Sequence, residues 1–129
     1  MYNLKLNEAQ MRVIEKALDF YSRILCGQIE EVDRVLMYDA RQVSHRSCLY
    51  WHLEDFKKAA FPELGVHTSY AIGSPETPEG AKIAYDIQQV VRHVLAWDIH
   101  PEGGILVSFQ EPEQLSKEPL PKAEAEKMK

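Results

Sequence analysis

The sequence is short of almost everything that identifies a function at sight. It contains no GxSxG nucleophile elbow, no glycine-rich phosphate loop, no HExxH pair and no CxxC pair. The common hydrolase, nucleotide-loop and zinc signatures are therefore absent. Cysteine occurs twice, at Cys26 and Cys48. No export-signal pattern opens the chain, so the two read as reduced thiols of a cytoplasm, and neither has the context of an activated thiolate. No apolar run approaches the roughly 18 residues of a membrane span. Basic charge is not in excess: 15 Lys and Arg against 20 Asp and Glu leave a net charge of −5. That argues against a protein that coats nucleic acid by broad phosphate neutralisation, while leaving room for a local basic pocket.

What is present is an ordinary globular composition, 45% hydrophobic and 27% charged over 129 residues, the size of one domain with a core. Asn7 followed by Gln10 is a capping pair ahead of a periodic segment. Met11, Ile14, Leu18, Tyr21, Leu25, Ile29, Val32 and Leu36 then recur at steps of three or four. At about 100° per residue they fall within roughly 80° of arc, which predicts a helix. The phase survives Gly27, so one long helix over 8–37 is expected, with Val13, Phe20, Ile24 and Val35 widening its apolar face. So wide a face exceeds what two short helices cover and points to a symmetric homodimer.

Residues 38–46 read as a connection. A second helix is expected over 47–60, with Leu49, Leu53, Phe56 and Ala60 inward, ended by Pro62. Residues 65–74 read as a loop or short strand. Thr77, Pro78 and Glu79 form a start signal, with a cap, a proline at the first helical position and an early acid, for a third helix over 78–97. The run ILVSF over 105–109 reads as a strand. From 111 to 129 large apolar residues nearly vanish, and that charged, proline-containing tail is expected to be disordered. The fold class is thus mainly α: a single helical domain over 1–110 with a long N-terminal helix, two further helices and at most a small β element.

Several polar groups stand where the apolar pattern does not want them. Gln28 falls inside the apolar arc of the first helix, and Asp86, Gln89 and His93 line the edge of the stripe formed by Ile83, Ile87, Val90, Val94 and Trp97. A buried amide without partners costs about 1–3 kcal/mol, so these four are expected to meet where the two helices pack. Such a meeting is either a structural hydrogen-bond network or the lining of a polar pocket. Tyr85 and Arg92 share another face, where the arginine is either solvated or grips a phosphate or carboxylate, with Arg23, Arg41 and Arg46 able to add charge. Of the five histidines, His45 and His52 are seven apart, and His93 is followed by Asp98 and His100. No zinc spacing results, so neither a metal nor another cofactor is expected.

The blocks YSRILCGQIEEV (21–32) and SYAIGSPETPEGAKIAYDIQQVVRHVLAW (69–97) resemble, in sequence and order, small proteins encoded by tailed phages and prophages. In that family a YxRxxxGQ helix precedes an AYDIxQVIRH-like helix, with a variable middle. Tyr21, Arg23, Gly27 and Gln28 meet the first pattern. Ala84, Tyr85, Asp86, Ile87, Gln89, Val90, Arg92 and His93 meet the second, with Val91 where isoleucine is commoner. The resemblance implies a phage origin, the cytoplasm of a host bacterium and an accessory role. Proteins of this kind often look like inhibitors of host defence. The reading that follows is a non-enzymatic protein that sequesters a small anionic ligand such as a nucleotide immune signal. Tyr85, Gln89, Arg92, His93 and Arg23 would form its site, with Gln28 and Asp86 as a structural network. The alternatives are a protein-binding inhibitor of a host defence enzyme and a small hydrolase using His93 and Asp86.

Overall fold

The computed structural model describes residues 1–37 and 46–126, and gives no account of the side chains of Arg46 and Ser47. The 38–45 connection, with Arg41 and His45, and residues 127–129 lie outside the described residues. Among the described residues four α-helices succeed one another: α1 (Glu8–Leu25), α2 (Glu31–Val35), α3 (Arg46–Ala60) and α4 (Glu79–Ile99). Among the described residues there is no strand, and no helix is long and apolar enough to cross a membrane.

The expected capping box opens α1. Gln10 N donates to Asn7 Oδ1 and Asn7 N donates to Gln10 Oε1, both at 2.9 Å. The helix does not run to 37, however. It ends at Leu25 because Gly27 adopts φ +89°, a left-handed conformation that glycine takes without steric cost. Gln28 N donates to Arg23 O (2.9 Å) and Gly27 N to Ile24 O (3.0 Å). This is the paired closure of a Schellman cap, which satisfies two terminal carbonyls. The apolar phase continues beyond the break only because α2 follows after five residues. Val13 and Tyr21, counted above with the apolar face, are exposed.

Helix α4 packs antiparallel on α1. Ser22 Oγ donates to Ala81 O at 3.0 Å, and Gln88 Nε2 donates to Glu15 Oε1 at 2.6 Å. Seven residues separate the partners on each helix, so the two bonds fix one register. Small residues make the approach possible. Ala81 and Ala84 are buried, and a Cβ added at Gly80 would touch the Tyr21 hydroxyl at 3.5 Å. The start signal at Thr77 works differently from the expected cap, since its hydroxyl donates to Ala71 O at 2.6 Å and so fastens the preceding loop.

Helix α3 ends ahead of Pro62 as expected, but its inward face is rotated. Phe56 and Ala60 are exposed, while Lys57 is 3% exposed. The Lys57 ammonium donates to Val66 O (2.9 Å) and Thr68 O (2.6 Å) and lies 3.9 Å from Glu30. A buried charge is tolerated only when so partnered. Lys57, together with the bond from Tyr70 N to Cys26 O (2.9 Å), holds the 61–77 loop against the end of α1.

Two expectations for the C-terminal part are corrected. ILVSF is no strand; Val107–Phe109 is a 3-10 turn, because no neighbouring strand is there to pair its backbone. Residues 111–126 have no helix or strand, in keeping with their composition, yet they are held in place. Ser116 is buried, and residues 113–117 hydrogen-bond along α4. Composition reports how much apolar surface a segment can bury; here polar side chains of α4 capture the tail by its backbone amides.

Candidate functional site

The polar edge of α4 has a specific use. Asp86, Gln89 and His93 face the C-terminal segment, which runs antiparallel to α4 as a strap. Asp86, 2% exposed, accepts from Leu115 N and Ser116 N, one oxygen each, both at 2.9 Å. Gln89 Nε2 donates to Glu113 O (3.1 Å), and its Oε1 lies 3.4 Å from Glu113 N. His93 Nδ1 lies 3.2 Å from Ser108 O, and its Nε2 is 3.8 Å from the exposed Glu111 carboxylate. The expectation that these three meet Gln28 is therefore corrected. Gln28 sits just past the end of α1, half-buried, where its Oε1 accepts from Arg23 Nη1 at 2.9 Å and its amide is 3.5 Å from the Ser69 hydroxyl. The helix break takes it away from the Asp86, Gln89 and His93 edge of α4 and leaves it in a cleft with Tyr85.

The remaining expected site residues border three adjoining spaces. Tyr85, Gln89 and Arg92 line a pocket of about 210 Å³ roofed by 107–113 of the strap, which brings Glu111 and Glu113 to its edge. Tyr85 also reaches a second cleft, of about 390 Å³, with Arg23 and Gln28. A third and larger cleft, about 540 Å³, opens between α1, α2 and α4, and there Arg23 and Arg92 share the walls. His93 borders none of these.

Charge is unevenly satisfied in the large cleft. Arg23 Nε lies 3.0 Å from Asp19 and Nη1 3.7 Å from Glu31; Arg34 Nε lies 2.7 Å from Glu31 and Nη2 3.5 Å from Asp19. The Glu15 carboxylate accepts from Gln88. Arg92 differs. Its Nε is buried without a hydrogen-bond partner, and its guanidinium forms no ion pair with any described residue. Lys16, Arg34 and Phe20 of this cleft were not among the expected site residues. They lie on the flank of the α1 and α2 stripe, and nothing in local spacing shows which charged side chains a fold later brings together.

Both cysteines are free, Cys26 buried and Cys48 exposed. Burial pushes the Cys26 thiol up, against the opposing effects of the Thr77 hydroxyl and the Arg23 charge. That marks Cys26 as a packed side chain rather than a nucleophile. His100 pairs with Glu102 at 3.3 Å, and among the described residues no three His, Cys, Asp or Glu side chains converge on a metal position.

No protein-family model, no curated protein and no solved structure matches the chain.

Proposed function

We propose that this chain is a non-catalytic binding protein that holds the anionic group of a small ligand at Arg92, in the cleft between α1, α2 and α4. The observation that carries the reading is the buried, unpaired Nε of Arg92. Leaving a buried donor unpaired costs about 1–3 kcal/mol, and more for a charged group. A phosphate or carboxylate is what a guanidinium grips with two parallel hydrogen bonds. Arg23 and Arg34 are already neutralised by Asp19 and Glu31, so they shape the cleft more than they attract. Four basic against three acidic residues line it, which suits a ligand of low negative charge better than a polyphosphate. Phe20 and Val35 offer an apolar wall for an organic body.

The likeness of the two sequence blocks to phage accessory proteins supports the biological side of the proposal. The ligand is then a nucleotide immune signal of the host, and the protein a counter-defence factor that traps it in the host cytoplasm. The hydrolase alternative gains nothing from the geometry, because both Asp86 oxygens are engaged by backbone amides and His93 faces a carbonyl. The test is direct. The folded protein is incubated with a nucleotide extract of the host bacterium, washed and denatured, and the released compounds are identified by mass. Intact nucleotide held by the wild type and lost in Arg92→Ala is expected. Nothing retained, or nucleotide released only in altered form, overturns the reading in favour of protein binding or of catalysis respectively.

A further inference from the structure

We propose that residues 110–112 of the strap are a lid. Lifting them opens Arg92 to an anion, and Gln89 then exchanges its hold on the strap for a hold on the ligand. This rests on Arg92 as the holder of an anion, and adds the route by which the anion arrives.

The anchoring of the strap is the first reason. On the near side of the lid, Trp97 Nε1 donates to Phe109 O at 3.1 Å and His93 Nδ1 lies 3.2 Å from Ser108 O. On the far side Leu115 N and Ser116 N each donate to Asp86 at 2.9 Å. Between these points the hold is slight. Gln110 N bonds back to Val107 O inside the strap, and among the described residues Glu111 and Pro112 make no hydrogen bond to α4. The backbone of Glu113 is held by Gln89, at 3.1 and 3.4 Å. Local opening begins where such contacts are fewest.

What the lid covers is the second reason. In two of the spaces that Arg92 borders, residues 106–113 supply a wall. Its Nε is buried and unpaired, so a ligand reaches that atom only after a neighbouring segment moves. Helix α1 is tied to α4 by the Gln88–Glu15 and Ser22–Ala81 bonds, whereas the lid yields at the loss of one side-chain contact. Opening also gives the stranded donor access to water or an anion, which removes a penalty carried only by the closed form.

The pocket beneath is suited to an anion once open. Tyr85, Gln89 and Arg92 stand four and three residues apart on one stripe of α4. The Tyr85 hydroxyl makes no hydrogen bond with a described residue, and the Gln89 amide is taken by the strap alone. In the closed form Glu111 and Glu113 border the same space and repel an anion there. One movement therefore removes two carboxylates and frees one donor.

Amide exchange of the full chain reads the lid without any ligand. The Glu113 amide should exchange at least about ten-fold faster than those of Leu115 and Ser116, because the lid opens while the Asp86 anchor stays closed. Titration with inorganic phosphate, followed by NMR at the Arg92 Nε–H, reads access. Pro112→Ala loosens the lid without changing charge. Its phosphate affinity should rise about two- to five-fold, since apparent affinity scales with the open fraction and proline restricts the open chain. Circular dichroism checks that the helices remain; if they do not, Pro112→Ser replaces it. A Glu113 amide as slow as those of Leu115 and Ser116 overturns the lid and leaves the anion site standing. So does an affinity unchanged or weakened by Pro112→Ala while Arg92 still responds. An Arg92 signal that phosphate moves in neither protein overturns the anion site and the lid with it.

Discussion

Arg23 and Gln28 are joined twice across the end of a helix. The Gln28 amide N–H donates to the Arg23 carbonyl, and Arg23 Nη1 donates to the Gln28 side-chain oxygen, both at 2.9 Å. With Gly27 between them in the left-handed region, the GQ pair of the first sequence block and the arginine before it form one helix-terminating unit. The geometry thereby explains why these residue types stand at that spacing, without any ligand.

Gly27→Ala tests that unit. The new Cβ would lie 2.5 Å from Leu64 Cδ1 at φ +89°, where L side chains are strained. A loss of about 1–3 kcal/mol is expected, from the conformational penalty plus the clash. Urea denaturation measures it, and an unchanged midpoint would show that the turn relaxes.

Gln28→Ala should cost less, about 0.5–1.5 kcal/mol, as the loss of one half-buried hydrogen bond does. The same denaturation series compares it with Gly27→Ala, and the glycine variant should be the weaker protein.

Asp86→Ala should free the strap. Its carboxylate takes the amides of Leu115 and Ser116, and removing it leaves two donors seeking partners where Ser116 is buried. A cost of about 1–3 kcal/mol is expected. Faster proteolysis and faster amide exchange over 111–118 should accompany it, with the amides of α1 unaffected.

Arg92→Met separates site from scaffold. It removes an unpaired buried donor and keeps an apolar stem, so stability should hold or rise by about 0.5–1 kcal/mol while anion binding is lost. A large drop in melting temperature would instead make Arg92 a structural residue.

Tyr70→Phe should be visible in a titration. The Tyr70 hydroxyl donates to Glu63 at 2.6 Å, which holds the Glu63 carboxyl below its ordinary value and pushes the Tyr70 phenol up. A carboxylate lowered on folding contributes stability above its unfolded pKa, and loses it as pH falls through the folded one. The phenylalanine variant should therefore return Glu63 towards the ordinary carboxylate range, read by NMR, and soften the acid side of the stability profile.

Local interactions made part of this molecule legible from the sequence alone. The Asn7–Gln10 box, the stop before Pro62 and the apolar stripe of α4 all act within one or two helical turns, so spacing and residue type were sufficient to locate α1, α3 and α4. Tertiary structure decided what spacing could not. The apolar phase ran through Gly27, but the cap there sits against Phe61 and Leu64 from a loop more than thirty positions away, and it ended the helix. Asp86, Gln89 and His93 were recognisable as misplaced polar groups, while their partners lay 15 to 30 residues downstream in a segment whose composition gave no hint of order. Arg92 differs from Arg23 and Arg34 in forming no ion pair with a described residue, a property of the folded surroundings rather than of any motif. Periodicity reports which side of a helix is apolar; which group a polar side chain meets depends on contacts between residues far apart in the chain.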